Sequence, residues 1–175
     1  LWVTRTTLKS DVYKNIFDDV CHAILAEKMR SEGLKIPDKN RRRLLSDSWI
    51  EPISYRTFSN LLDAKPGSPH KLRQFLAKRN GPGDILKKTL IVIDEAHKLY
   101  GGDLKASERP KMAVMERWLK ESYAKSGPDS ARLLIMTATP FTDSPMELFK
   151  LINLCKENPA DHITTDPAEF KATYM

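Results

Sequence analysis

The chain has 175 residues and a mass of 20.0 kDa, enough for one compact domain with a real apolar core and too short for two. Its 29 basic and 23 acidic side chains leave a formal charge of +6, with 41% apolar and 30% charged residues, the balance of an ordinary globular domain. That balance excludes disorder, a fibre and a membrane-embedded protein, and no apolar run approaches the roughly 20 residues of a spanning helix.

Leu1–Thr4 is apolar and β-prone and reads as a strand. No initiator Met precedes it, and LWVTRTTLKSD has no secretory signal pattern, so the chain reads as the interior of a longer polypeptide. From Asp11 to Arg30, Val12, Ile16, Val20, Ile24 and Leu25 recur at helical spacing, and Gly33 supplies a stop. The connector KIPDKNRRRLL, Lys35 to Leu45, reads as a solvated loop whose Arg41–Arg43 run could also meet a phosphate backbone. Ile50–Tyr55 predicts a second strand, Thr57–Leu62 a helix, and His70–Lys78 another after the break at Pro66, Gly67 and Pro69.

Thr89–Ile93 is an unalternating aliphatic run, the pattern of a parallel strand buried on both faces. Ser107 is placed to cap a helix running to about Tyr123, with Met112, Met115, Trp118 and Leu119 on one face. Arg132–Met136 is a second strand of the buried kind. Ser144-Pro145-Met146-Glu147 has the form of a capping box and opens a helix packing Leu148, Leu151, Ile152 and Cys155, and Asp166-Pro167-Ala168-Glu169 repeats the start signal. Strands alternating with helices predict an α/β fold with a parallel sheet. Cys21 and Cys155 have no CxxC partner and are expected to be reduced core thiols in a reducing intracellular compartment. The four histidines do not fall at zinc-ligand spacing from them.

The chemistry concentrates in LIVIDEAHKLY, Leu90–Tyr100, where a buried strand ends in two adjacent carboxylates, Asp94 and Glu95, with His97 two positions on. Ligands of open α/β sheets bind outside the carboxyl ends of the strands. Paired acids there suit a hard cation: one anchors Mg²⁺ while the other orients or deprotonates an attacking water. A bare Asp-Glu pair more often only caps a turn, but DEAH behind four aliphatics arises by chance on the order of once in a thousand such chains. Thr137 lies 43 residues on from Asp94, in LLIMTATPF, a second buried strand that ends in Thr137, Ala138 and Thr139. Those hydroxyls could bond the first site's carboxylates and report its state.

With both segments in this order, the sequence resembles the first RecA-like domain of a superfamily 2 helicase or translocase ATPase. DEAH takes the place of the Walker B motif and TATP that of the Ser/Thr-Ala-Thr motif. PFTDSPMELFKLINLC is similar to the continuation found in chromatin-remodelling ATPases and in the nucleoside triphosphatases and early transcription factors of poxvirus-like large DNA viruses. VTRTTLKSD takes the place of motif Ia without its usual Pro, and ISYRTFSNLL resembles motif Ib. The resemblance implies a RecA-like parallel sheet sandwiched by helices over residues 1–175, with ATP and Mg²⁺ as cofactors. Asp94 would hold Mg²⁺, Glu95 would orient the water, and His97 would couple the site to Thr137, Ala138 and Thr139. Thr4, Arg5, Thr6, Ser54, Tyr55 and Arg56 would lie along a nucleic-acid track, DNA rather than RNA, and no membrane is implied.

Two parts of the family pattern are missing from the sequence. No GxxxxGK[ST] phosphate loop occurs, so the β/γ-phosphate cradle and its strand are expected upstream of Leu1. The second RecA-like domain, with its arginine finger, is expected after Met175. The phosphate-loop strand is expected between the DEAH and TATP strands, so that its loss leaves two aliphatic edges. The isolated chain is then expected to be inactive although its parent is an enzyme. The alternative is a non-catalytic RecA-like module kept for binding nucleic acid or protein.

Overall fold

The computed structural model describes residues 1–13, 22–33, 52–65, 67–101, 104–140 and 144–175. Cys21, the Arg41–Arg43 run and the middle of the first predicted helix lie outside the described residues. Four short strands, β1 (Trp2–Thr4), β2 (Ile53–Ser54), β3 (Leu90–Ile93) and β4 (Arg132–Ile135), form one sheet in the order β2-β1-β3-β4. Every pairing is parallel. Among the described residues the α-helices are α1 (Lys9–Tyr13), α2 (His22–Ser31), α3 (Tyr55–Asp63), α4 (Lys71–Asn80), α5 (Met112–Ser126), α6 (Pro145–Leu154) and α7 (Pro167–Tyr174). The protein is therefore an α/β domain with an all-parallel sheet flanked by helices, as the alternation of patterns predicts.

The register explains which side chains make the core. Val3 sits beside Ile53 and Ile93, Ile93 beside Ile135, and Ile91 beside Leu133, so one face of the sheet is a continuous aliphatic surface. Phe58, Leu61 and Leu62 of α3, Met115, Leu119 and Tyr123 of α5, and Leu151 and Leu154 of α6 bury against it. Arg73 of α4 is buried as well, its guanidinium donating to the Leu61 carbonyl at 2.9 Å and stacking 5.3 Å from the Trp118 ring. It thereby satisfies a carbonyl that the end of α3 leaves open.

Four expectations are corrected. No strand lies between β3 and β4: they pair directly from Leu90–Arg132 to Ile93–Ile135. The second is β4 itself, which is not buried on both faces. Among the described residues it is paired on one side only, and Leu134 remains 48% exposed. An edge strand has a neighbour on one side, so an aliphatic run there need not be covered. The third is the start of α5, which begins at Met112 and not at Ser107, and runs to Ser126. Pro110 disfavours helical backbone at the residue before it, which delays the start. Cys155 likewise caps the end of α6 with an exposed side chain rather than filling the core.

The two remaining start signals behave as read. Ser144 Oγ accepts the Met146 N–H at 3.2 Å, and Asp166 Oδ1 accepts those of Ala168 and Glu169 at 2.8 and 2.9 Å. No described helix is long and apolar enough to cross a membrane.

A buried polar knot ties α5 to the approach to β3. Asp84 accepts the hydroxyls of Ser122 and Ser126 at 2.7 and 2.6 Å and the Leu86 N–H at 2.9 Å. Ser122 Oγ in turn accepts the Ala131 N–H at 2.9 Å, at the entry to β4. Removing the carboxylate leaves donors without an acceptor, which costs more than the bonds themselves contribute. Asp84→Ala should lower stability by about 3 kcal/mol in a urea titration. A loss below about 1 kcal/mol would show that the hydroxyls find other acceptors.

Candidate active site

The carboxyl end of β3 is held from both sides by backbone. The Asp94 N–H donates to the Val3 carbonyl at 2.9 Å, which extends the pairing with β1 past Ile93. On the other side the Met136 N–H donates to Ile93 at 2.9 Å and the Ala96 N–H to Met136 at 3.0 Å. Between these anchors the chain must leave an extended path and enter the tight turn Ala96–Leu99. Glu95 makes that change in the left-handed region, with φ 52° and ψ 42°. For a residue with a Cβ that backbone costs roughly 1–2 kcal/mol, so the surroundings must hold it.

Tyr55, the first residue of α3, is one of the groups that hold it. It is 1% exposed, and its hydroxyl donates to the carbonyls of Asp94 at 2.5 Å and Glu95 at 3.1 Å. Burial pushes its phenol well above the ordinary range, and the carboxylates of Asp94 and Glu95 add to that shift.

Asp94 is fixed by short-range contacts. Its Oδ2 accepts the hydroxyl of buried Thr4 at 3.2 Å, and its Oδ1 accepts the Glu95 N–H at 3.0 Å. Neither bond neutralises the carboxylate. Glu95 Oε2 lies 3.4 Å from His97 Nδ1, and the same nitrogen lies 2.8 Å from the Thr137 hydroxyl. Thr137 Oγ1 also donates to the Thr139 carbonyl at 3.1 Å and accepts the Thr139 N–H at 3.2 Å. With its one proton used on Thr139, the hydroxyl can only accept from His97. The geometry is therefore consistent with the proton on Nδ1, pointing at both Glu95 and Thr137. His97 is 5% exposed, so the imidazole at the centre of the bridge is buried while the Glu95 carboxylate keeps partial access to solvent.

These contacts bring Glu95, His97 and Thr137 together beside Asp94, but the Thr137 hydroxyl meets His97 rather than the expected carboxylate. Thr4 and Tyr55 join in roles the sequence does not predict. Thr139 joins through its backbone, and Ala138 is exposed beside it. The nucleic-acid track divides. Thr4, Ser54 and Tyr55 are buried and satisfied internally, Ser54 as the cap of α3 accepting from Thr57 N–H at 3.1 Å. A buried, internally bonded side chain cannot reach a phosphate backbone, so these three act in the fold. Arg5, Thr6 and Arg56 keep surface access, although Arg56 donates to the Arg109 carbonyl at 3.2 Å. One signal in the sequence does point to the role of Tyr55: a Tyr at the end of an apolar strand must find a partner for its hydroxyl.

Among the described residues no group of three or more His, Cys, Asp or Glu side chains could cage a metal ion. Mg²⁺ seldom needs one, since it keeps waters and takes one or two carboxylates plus substrate phosphates. A single carboxylate at a strand end, Asp94, fits that mode. No protein-family model matches this sequence, and no curated protein or solved structure is found to be similar to it.

Two measurements check this geometry. Glu95→Gly and Glu95→Ala both remove the carboxylate, but only alanine retains the strained backbone. The glycine variant should be the more stable by about 1 kcal/mol in thermal unfolding, and equal stabilities would deny the left-handed conformation. Alkaline unfolding reports Tyr55. Its folded-state pKa is raised, so its stabilisation is complete below the ordinary value of 10.0 and erodes as pH rises beyond it, where the unfolded chain ionises first. Tyr55→Phe should flatten that alkaline loss relative to the parent protein.

Proposed function

We propose that this chain is part of a nucleic-acid-dependent ATPase of the superfamily 2 helicase and translocase class, a partial first RecA-like domain running from motif Ia to just past the Thr137–Thr139 motif. The observation that carries the reading is the bridge from Glu95 through His97 to Thr137. It joins the two motifs that the sequence resemblance picks out, which lie on adjacent strands and far apart along the chain.

In this reading Asp94 holds the Mg²⁺ of MgATP, and the ion would neutralise charge on the phosphates. Glu95 accepts from and orients the hydrolytic water. The carboxylate is about a third exposed, so it can reach solvent while His97 holds its other side. Its strained backbone and the Tyr55 clamp fix the backbone from which that carboxylate projects. His97 couples the water-orienting group to Thr137. A change at the phosphates that moves Glu95 would therefore be felt on the segment after β4. The phosphate cradle and the arginine finger would come from other parts of the polypeptide.

Nucleic acid, DNA rather than RNA, remains the proposed partner. Arg5, Thr6 and Arg56 are the residues of the predicted track with surface access, and the +6 charge favours a polyanion. An intracellular reducing compartment and a role in transcription or remodelling belong to the same proposal. A non-catalytic RecA-like module is the second reading, favoured by the lack of a phosphate loop in these 175 residues.

The test uses the full polypeptide that carries this chain. Glu95→Gln should leave nucleotide binding within a few-fold of the parent protein while nucleic-acid-stimulated ATP hydrolysis falls by about a hundredfold or more. Unchanged hydrolysis would remove the assignment of Glu95. ATP binding without any hydrolysis by the parent protein would favour the non-catalytic module.

A further inference from the structure

A concave site lies away from the acids, between α5, α6 and the segment that follows α6. It is a cleft of about 160 Å³ whose polar lining includes Lys120, Lys150, Lys156, His162, Glu116 and Tyr100. Asp94, Glu95, His97 and Thr137 take no part in it.

The charge in this cleft is unbalanced. Its three ammonium groups come from three places, Lys120 on α5, Lys150 on α6 and Lys156 just beyond it. Among the described residues none of the three forms an ion pair. Lys150 Nζ lies 5.7 Å from the centre of the Tyr100 ring, and Lys156 donates to the Asp161 backbone carbonyl, a neutral acceptor. One carboxylate, Glu116, shares the cleft with these three lysines, and two further carboxylates beside it are paired outside it. Glu116 accepts the Tyr100 hydroxyl at 2.8 Å, Glu121 pairs with Lys125 at 2.9 Å, and Glu157 pairs with Arg132.

The walls of the cleft are also anchored. The Asn153 amide donates to the Ile163 carbonyl at 2.7 Å and accepts the Ile163 N–H at 2.9 Å, fixing the segment that carries His162 and Thr165. The Tyr123 hydroxyl donates to the Leu154 carbonyl at 2.8 Å, locking α5 to the end of α6. Uncompensated cations on a fixed frame attract an anion without having to reorganise first.

We propose that this cleft binds a phosphate group, as free orthophosphate or as the head of a small phosphomonoester. A tetrahedral dianion presents acceptor oxygens in several directions, which suits separate ammonium donors. A planar carboxylate is better served by the fork of an arginine, and none lines the cleft. The volume admits a phosphate with a short substituent but lies below the roughly 300 Å³ where pockets for larger organic ligands begin. This site is independent of ATP hydrolysis at the acid site.

Isotope-labelled protein titrated with orthophosphate at constant ionic strength should show saturable shifts at Asn153, His162 and Thr165, with a Kd on the order of 1 mM or tighter. Lys150→Ala and Lys120→Ala, both at the surface, should each weaken binding about tenfold, while Lys78→Ala on α4 and Asp94→Asn should leave it unchanged. Phosphoserine is the second probe. Tighter binding than orthophosphate identifies a phosphomonoester as the ligand, and equal or weaker binding identifies the free ion. Shifts that grow without saturating, or an affinity unaltered in Lys150→Ala, would overturn the proposal. So would loss of binding in Asp94→Asn alone, which would assign the phosphate to the acid site.

Discussion

Where β3 ends, three backbone hydrogen bonds continue the sheet beyond its strands, from Asp94 to Val3, from Met136 to Ile93 and from Ala96 to Met136. Every other feature of the acid site follows from them. Because both flanks of Glu95 are tied to neighbouring strands, the turn between them has little freedom, and Glu95 takes a backbone most residues avoid. The buried hydroxyls of Tyr55 and Thr4 then serve the site from below, one through carbonyls and the other through a carboxylate. The two acids are thus positioned by backbone bonds to the sheet, which gives a site its precision.

Direct pairing of β3 with β4 is what allows a histidine to join the two motifs. With another strand between them, about 5 Å of added spacing would separate His97 from Thr137. In the observed order the imidazole touches the threonine and the glutamate together. Among the described residues the same arrangement makes β4 an edge, with apolar surface at Leu134 and Met136. Helices α3, α5 and α6 cover the opposite face, where the aliphatic core is continuous. Around this core the charge is uneven: acids gather at the end of β3, and lysines without an ion pair among the described residues surround the cleft between α5 and α6.

Much of this was legible in the amino-acid order because it depends on local chemistry. The aliphatic run before Asp94 demanded a buried strand, Ser144 and Asp166 capped the helices they precede, and Met115 and Leu119 formed the buried stripe of α5. The start of α5 was misjudged because Pro110 overrides the capping signal at Ser107. Cys155 sits at a helix end, where helical periodicity no longer says which way a side chain faces.

By itself the sequence determined the element types, the parallel α/β class and the adjacency of Asp94, Glu95 and His97, since periodicity, capping and covalent neighbourhood act within a few residues. Tertiary structure alone decided the strand order, the edge position of β4 and the inward turn of Thr4, Ser54 and Tyr55. It also decided the bridge from His97 to Thr137 and the lysine-lined cleft. Each of these depends on which distant segments share a boundary, a choice made by the packing of the whole core and recorded in no single stretch of residues.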